Sequence, residues 1–237
     1  MLTSAVCESL SESAKRLNGS QHTAVNAMLS KSSRNVITII QGPPGTGKTS
    51  VIAFFVQMAV ALGKSGIWLV AQSNVAVKNI AEKLSEVDFY DYRLLISDGF
   101  IDDWWVKDWL SHLVGSLSWE RHEHLYGDIY ANIIKSGEFY TCGSRVKGIK
   151  VFLCTLSMLS NDAISKIFAK EFPISTLVVD EASQIHVADY ISVFYKYVSL
   201  RKACFIGDDK QCEYEFVFSC FIENSLKISA TLWSGWL

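Results

Sequence analysis

Residues 42–49, Gly-Pro-Pro-Gly-Thr-Gly-Lys-Thr, have the types and spacing of a loop that cradles phosphate. They match the pattern G-x-x-x-x-G-K-[ST], in which glycine-rich backbone aims its N–H groups at phosphate oxygens. Lys48 would place an ammonium on the β- and γ-phosphates, and Thr49 would offer a hydroxyl to Mg²⁺. The alternative, a plain Gly/Pro turn between a strand and a helix, is disfavoured because every position of the pattern is filled.

Two adjacent carboxylates, Asp180 and Glu181, follow an apolar run at 177–179. An acidic residue at the carboxyl end of a strand in a phosphate-loop protein usually holds Mg²⁺, which predicts that role for Asp180. Glu181 could then orient and deprotonate an attacking water. The alternative is an acidic helix N-terminus, where carboxylates are favoured in any case. Gln211, after the next apolar run, could hydrogen-bond a γ-phosphate or the water, a weak signal by itself.

Apolar runs alternate with helical patterns along the chain. Strands are predicted at 36–40, 67–71, 92–96, 151–154, 177–179 and 203–206, with helices after the phosphate loop and over 75–84. The strands are continuously apolar rather than alternating, which is typical of a parallel sheet covered on both faces. The sequence therefore predicts a three-layer α/β phosphate-loop fold.

The pattern changes between residues 97 and 150, which we interpret as a mostly helical insertion. Four tryptophans concentrate there, and they indicate either a small local core or a surface on which bases stack. His122 and His124 have the spacing of a ligand pair, but no second pair accompanies them, and a solvated face is the stronger interpretation. The tryptophans are Trp104, Trp105, Trp109 and Trp119.

Composition narrows the class of protein. The 237 residues are 49% hydrophobic with a net charge of −2, so we expect one large domain with no overall basic surface for nucleic acid. The six cysteines form no C-x-x-C pair, which favours the cytoplasm or nucleus over an oxidising compartment. The N-terminus makes a poor signal peptide, and the apolar stretch 51–62 is too short to span a membrane.

Together these motifs resemble the superfamily 1 helicases of the 5′-to-3′ group that includes the nonsense-mediated-decay RNA helicase. Residues 41–49 look like motif I, Asp180-Glu181-Ala182-Ser183-Gln184 like the D-E-A-x-Q form of motif II, and 207–211 like the start of motif III. Leu17 to Gln21 look like the Q motif, which reads adenine. The resemblance covers residues 17–211 in the right order and implies a RecA-like lobe that uses ATP and Mg²⁺.

The resemblance also implies contacts with single-stranded RNA or DNA. Ser73 and Asn74 lie in a segment similar to motif Ia, and Thr155 in one similar to motif Ib. With these, the predicted nucleic-acid residues are Ser73, Asn74 and Thr155; the catalytic residues Lys48, Glu181 and Gln211; and the metal ligands Thr49 and Asp180. The predicted nucleotide-binding residues are Gln21, Gly42, Pro43, Pro44, Gly45, Thr46, Gly47, Lys48 and Thr49.

The chain departs from the family pattern after Gln211, where Leu-Pro-Pro is replaced by Cys-Glu-Tyr and an atypical tail, 212–237, follows. The second lobe, with its arginine finger, has no counterpart. We therefore expect weak ATP binding, slow hydrolysis, no strand separation by the chain alone, and an exposed face able to dock a protein partner. The alternative is a non-motor module that binds nucleotide or a partner. A small-molecule kinase is disfavoured by the D-E-A-x-Q and Q motifs.

Overall fold

The computed structural model describes residues 4–32, 36–98, 129, 131–168 and 172–208, which fold around one parallel sheet. The strands are β1 (Ile37–Gln41), β2 (Ile67–Ala71), β3 (Tyr92–Ile96), β4 (Ile133–Lys135), β5 (Val151–Thr155), β6 (Thr176–Asp180) and β7 (Lys202–Gly207). The helices are α1 (Ser4–Lys15), α2 (Gly19–Leu29), α3 (Lys48–Ala61), α4 (Asn74–Glu86), α5 (Gly143–Val146), α6 (Leu156–Leu159) and α7 (Val187–Lys196).

The seven strands run in the order β1-β7-β6-β2-β5-β3-β4, and every pair is parallel. Parallel neighbours need crossover connections, which the helices supply. β1 pairs with β7, whose residues come more than a hundred positions later, with Ile37 in register with Ala203. The order places the strand before the phosphate loop two positions from β6, the strand that ends in Asp180.

Side chains of the central strands alternate between two apolar cores. All five residues of β2 are buried; Ile67 and Leu69 belong to one core and Trp68 to the other. Helices α2, α3 and α4 cover the first face, whereas α6 and α7 cover the second. Because both faces of the sheet are covered, the strands are apolar throughout, as the sequence indicated.

The α/β fold and all six predicted strands are confirmed, with ends that differ by at most one residue. The segment 97–150, expected to be mostly helical, contributes a strand that was not predicted. β4 pairs with β3 at the sheet edge, with Leu94 in register with Ile133, and is followed by a 3₁₀ turn at Ser136–Glu138 and by α5. A three-residue strand is too short to give a periodic signal. The four tryptophans, His122 and His124 lie outside the described residues.

No helix among the described residues is both long enough and apolar enough to cross a membrane. The longest, α3, has 14 residues and lies behind the phosphate loop with most of its side chains buried.

Candidate functional site

The predicted site residues that the structure describes converge on one edge of the sheet, where all seven parallel strands end. β7 separates β1 from β6 there, so the phosphate loop and Asp180 are about 9–10 Å apart as strand spacings are counted. On the other side of β6, Ala71 at the end of β2 is in register with both Asp180 and Thr155. The edge therefore carries the phosphate loop, the acidic pair and the predicted nucleic-acid residues in that order.

The phosphate loop is a tight backbone turn that depends on its glycines. Gly45 and Gly47 have φ of 78° and 79°, in the left-handed region that favours glycine. A Cβ on Gly42 would lie 2.6 Å from the Thr46 hydroxyl oxygen, so a side chain there would displace the loop. The Gly42 N–H donates to the Gly207 carbonyl at 3.0 Å, which fixes the loop to the end of β7. Pro43 and Pro44 are exposed on the outside of this turn.

Lys48 and Thr49 lie in the first turn of α3, whose leading amides have no partner within the helix. The Lys48 Nζ donates to the carbonyl oxygens of Gly42 at 2.7 Å and Pro43 at 3.1 Å. The ammonium is thus held over the mouth of the loop. The oxygens of a bound phosphate would replace these two carbonyls as the acceptors of the Lys48 hydrogen bonds.

Gln21 lies against the phosphate loop. In a capping box, its backbone N–H donates to Asn18 Oδ1 and its side-chain oxygen accepts from the Asn18 N–H, both at 2.9 Å. Its Nε2 donates to the Thr46 carbonyl at 2.9 Å. One amide N–H and one lone pair remain on the Gln21 side chain. The sequence placed Gln21 near the nucleotide; its bond to the loop came from the structure.

Asp180 is buried at the end of β6, and burial raises the pKa of its carboxyl group. The Glu181 N–H, which donates to Asp180 Oδ1 at 2.9 Å, and the Lys48 ammonium each lower that pKa in part. Glu181 has φ of 52°, a left-handed conformation that costs about 1–3 kcal/mol for a residue other than glycine. Such strain is common at functional sites, and here it turns the chain sharply after the strand.

Contacts that sequence reasoning missed hold this turn, although Ser183, Gly207 and Asp208 lie in the segments that resemble motifs II and III. The Tyr190 hydroxyl, on α7, donates to the Ala182 carbonyl at 3.1 Å. The Asp208 N–H donates to Ser183 Oγ at 3.3 Å, and a Cβ on Gly207 would lie 3.0 Å from the Ser183 N. The 3₁₀ turn Ala182–Gln184 is therefore held both by α7 and by the residues at the end of β7. No sequence motif announces these contacts, because they join segments that only the sheet order makes adjacent.

The predicted nucleic-acid residues begin two helices. Ser73 Oγ accepts from the Ala76 N–H at 3.1 Å and so caps α4, whose first residue is the exposed Asn74. Thr155 Oγ1 accepts from the Met158 N–H at 3.2 Å and caps α6. Both caps lie on neighbouring strands at the same edge. Gln211 lies outside the described residues.

Comparison with known proteins agrees with this architecture. A family model described as an AAA domain matches residues 16–96. The Saccharomyces cerevisiae protein ECM32, which its name places among ATP-dependent RNA helicases, is 33% identical over an alignment of 217 positions, which covers 84% of this chain and 18% of ECM32. The Arabidopsis thaliana homologue of Regulator of nonsense transcripts 1 is 44% identical over 78 residues, which make up 33% of this chain and 6% of that protein.

Among solved structures, the UvsW helicase of bacteriophage T4 superposes with a TM-score of 0.52, covering 84% of this chain and 58% of that one. At 10% identity this likeness shows the fold alone. The chain spans less than a fifth of the length of the curated relatives given above.

The order of its motifs, the parallel sheet that brings them to one edge, and these relatives lead to one assignment. The chain is similar to the first, ATP-binding lobe of the superfamily 1 helicases of the nonsense-mediated-decay-helicase-like group.

Proposed function

We propose that this chain binds ATP with Mg²⁺ at the carboxyl edge of the sheet and hydrolyses it in response to a single strand of nucleic acid. The observation that carries the proposal is the single row formed by the phosphate loop, Asp180 and the capped helix ends. Any residue that follows one of these parallel strands lies at this edge, so the residue types found there, rather than their location alone, support the proposal. The glycine cradle, the Lys48 ammonium and the Asp180 carboxylate together fit a metal-bound triphosphate.

Each residue has a separate task. The loop amides and Lys48 bind the phosphates, and Thr49 with Asp180 holds the metal ion. Mg²⁺, when bound, neutralises charge on the β- and γ-phosphate oxygens. Glu181 orients and deprotonates the attacking water, for which its rigid left-handed backbone is suited. Gln211 is proposed to contact the γ-phosphate or the water, as in the family motif it resembles.

Gln21 is proposed to recognise the base. Its remaining amide N–H and lone pair offer one donor and one acceptor in the plane of the side chain. Adenine presents the complementary pair, the N7 acceptor and the N6 amino donor. Guanine has an acceptor, O6, at the second position, so the same amide cannot satisfy both of its atoms. The geometry supports a preference for ATP over GTP.

The nucleic-acid contact is proposed at Ser73, Asn74 and Thr155. The N-terminus of α4 favours the anionic backbone of a nucleic-acid strand, and Thr155 at the end of the neighbouring strand β5 adds a hydroxyl donor beside it. These side chains are uncharged, so the contact would depend less on salt than one made by lysines. Val75, which is 67% exposed beside them, adds an apolar surface at the same edge, where we propose that a protein partner docks.

The proposal is tested by equilibrium binding of a fluorescent ATP analogue to the wild-type chain and to Lys48→Ala, with Mg²⁺ present. Losing a charged hydrogen-bond donor to phosphate should weaken binding at least about tenfold. Lys83→Ala is the matched control, because Lys83 forms only an exposed ion pair with Glu86 on α4. Equal binding by wild type and Lys48→Ala would refute the nucleotide site. Repeating the titration with single-stranded RNA and DNA tests the second ligand.

A further inference from the structure

A lysine without an evident role lies in the interior at the start of β7. Lys202 is only 7% exposed, and burial lowers the pKa of its ammonium. Its Nζ donates to the carbonyl oxygens of Ala27 at 2.8 Å and Ser30 at 3.2 Å. An interior lysine is costly unless its charge is compensated, and here it lies at the negative end of the α2 dipole.

A second ammonium holds the same helix end. The Lys64 Nζ donates to the Leu29 carbonyl at 2.9 Å, and Lys64 itself follows directly after α3, the helix that begins at the phosphate loop. The C-terminus of α2 is thus tied both to the sheet and to the end of α3. These contacts are about 9–14 Å along the helix from Gln21, towards its other end.

Apolar packing holds the middle of α2, where Val25 and Met28 are buried. Partly buried residues on either side of these two pack against the same core. Polar contacts then restrain the two ends of the helix. At the N-terminus Gln21 meets the Thr46 carbonyl, and at the C-terminus the carbonyls meet Lys202 and Lys64.

We propose that Lys202 is a positioning residue for Gln21: it anchors the C-terminus of α2 on β7 so that Gln21 reaches both the phosphate loop and the base. The proposal rests on the proposed function, in which Gln21 recognises adenine. It requires that a substitution of Lys202 weaken the binding of the base without weakening the binding of the phosphates. Lys202 touches neither ligand.

The test compares ATP with inorganic tripolyphosphate, which has the phosphates and no base, by calorimetric titration. The proteins are wild type, Gln21→Ala, Lys202→Met and the double variant. Lys202→Met should raise the Kd for ATP about three- to tenfold, a part of what a hydrogen bond to a charged group is worth, and leave the Kd for tripolyphosphate unchanged. The double variant should bind ATP no more weakly than Gln21→Ala, because both substitutions remove the same interaction, the contact of Gln21 with the base.

Lys196→Met is the matched control. Lys196 also donates to a backbone carbonyl, that of Ser160 at the end of α6, but on the opposite face of the sheet, so its loss should leave both affinities unchanged. Circular dichroism and thermal unfolding report whether a variant is folded. Should Lys202→Met fail that check, Lys64→Met removes the neighbouring contact and should show the same selective loss for ATP.

Three results would overturn the inference and leave the phosphate site standing: unchanged ATP affinity in Lys202→Met, an equal loss for tripolyphosphate, or additive losses in the double variant. An unchanged ATP affinity in Gln21→Ala would overturn both the base contact and the inference. Failure of the wild-type chain to bind ATP or tripolyphosphate would instead refute the proposed function itself, with which the inference also falls.

Discussion

Replacing Tyr190 with phenylalanine tests whether α7 controls the conformation of Glu181. The change deletes one hydroxyl, which donates to the Ala182 carbonyl at 3.1 Å. The ring remains, and so does its edge-to-face contact with Phe205 at 5.2 Å. The Ala182 carbonyl belongs to the turn that follows the strained Glu181. The substitution therefore removes one restraint on that turn with little change in packing.

The expected size follows from the contact. A buried neutral hydrogen bond contributes about 1 kcal/mol, which corresponds to a fall in Tm of about 2–4 °C for a domain of this size. If half or more of that energy keeps Glu181 in place during reaction, hydrolysis slows about twofold to fivefold. Nucleotide affinity should not change, because Lys48 and Thr49 are on another segment.

The assay is single-turnover hydrolysis of γ-labelled ATP, beside thermal unfolding and nucleotide binding. Tyr197→Phe is the matched control: the Tyr197 hydroxyl is equally buried and donates at 2.6 Å to the Leu159 carbonyl, at the end of α6. It should lower Tm to a similar extent without slowing hydrolysis. If both variants slow hydrolysis equally, or Tyr190→Phe leaves the rate unchanged at a reduced Tm, the hydroxyl does not position Glu181.

Three other changes test the site and the fold. Because burial raises the folded pKa of Asp180 above its unfolded value, its ionisation costs stability as pH rises through the folded pKa. Asp180→Asn should therefore raise Tm at neutral pH, lose that gain in acid, and weaken the dependence of ATP affinity on Mg²⁺, to which Thr49 still contributes. An equal Tm at neutral pH would contradict this. Gly66→Ala should lose at least about 2 kcal/mol more in chemical unfolding than Gly63→Ala, since both have positive φ but only a Cβ on Gly66 meets the Pro173 carbonyl; equal losses would refute the clash. Thr155→Ala should remove the cap of α6, which costs about 1 kcal/mol of stability. It should also weaken the binding of labelled RNA, measured by fluorescence anisotropy, while ATP binding persists. Unchanged anisotropy would exclude a contact of Thr155 with RNA.

The sheet and the loop before α3 could be predicted from sequence because their signals are local. A phosphate loop is one continuous segment, and the buried strands are continuous apolar runs. The acidic pair is also recognisable, because it directly follows an apolar run. The relative positions of these motifs follow from parallel topology, since all strand ends share an edge.

The supports of the site could not be predicted in this way. Tyr190 resembles any helical aromatic residue, and its bond to Ala182 depends on where α7 crosses β6. Lys202 reads as an ordinary charged residue beside a strand, yet it is buried because the end of α2 covers it. β4 has only three residues and depends on its neighbour, β3, for its conformation. In each case the deciding contact joins residues far apart in sequence.

The pairing of β1 with β7 has a consequence for how the protein is made. β1 is synthesised first among the strands, and its partner, in which Ala203 faces Ile37, is synthesised last of those described. At about 5–20 residues per second, the ribosome needs on the order of ten seconds to produce that partner. During this interval the phosphate loop follows a strand, β1, whose pairing partner in the described part of the sheet has not yet been synthesised. Its anchor, the Gly207 carbonyl, does not yet exist. Nucleotide binding by a nascent chain would therefore begin only when β7 has emerged, and ATP would act as a late ligand that stabilises a completed sheet.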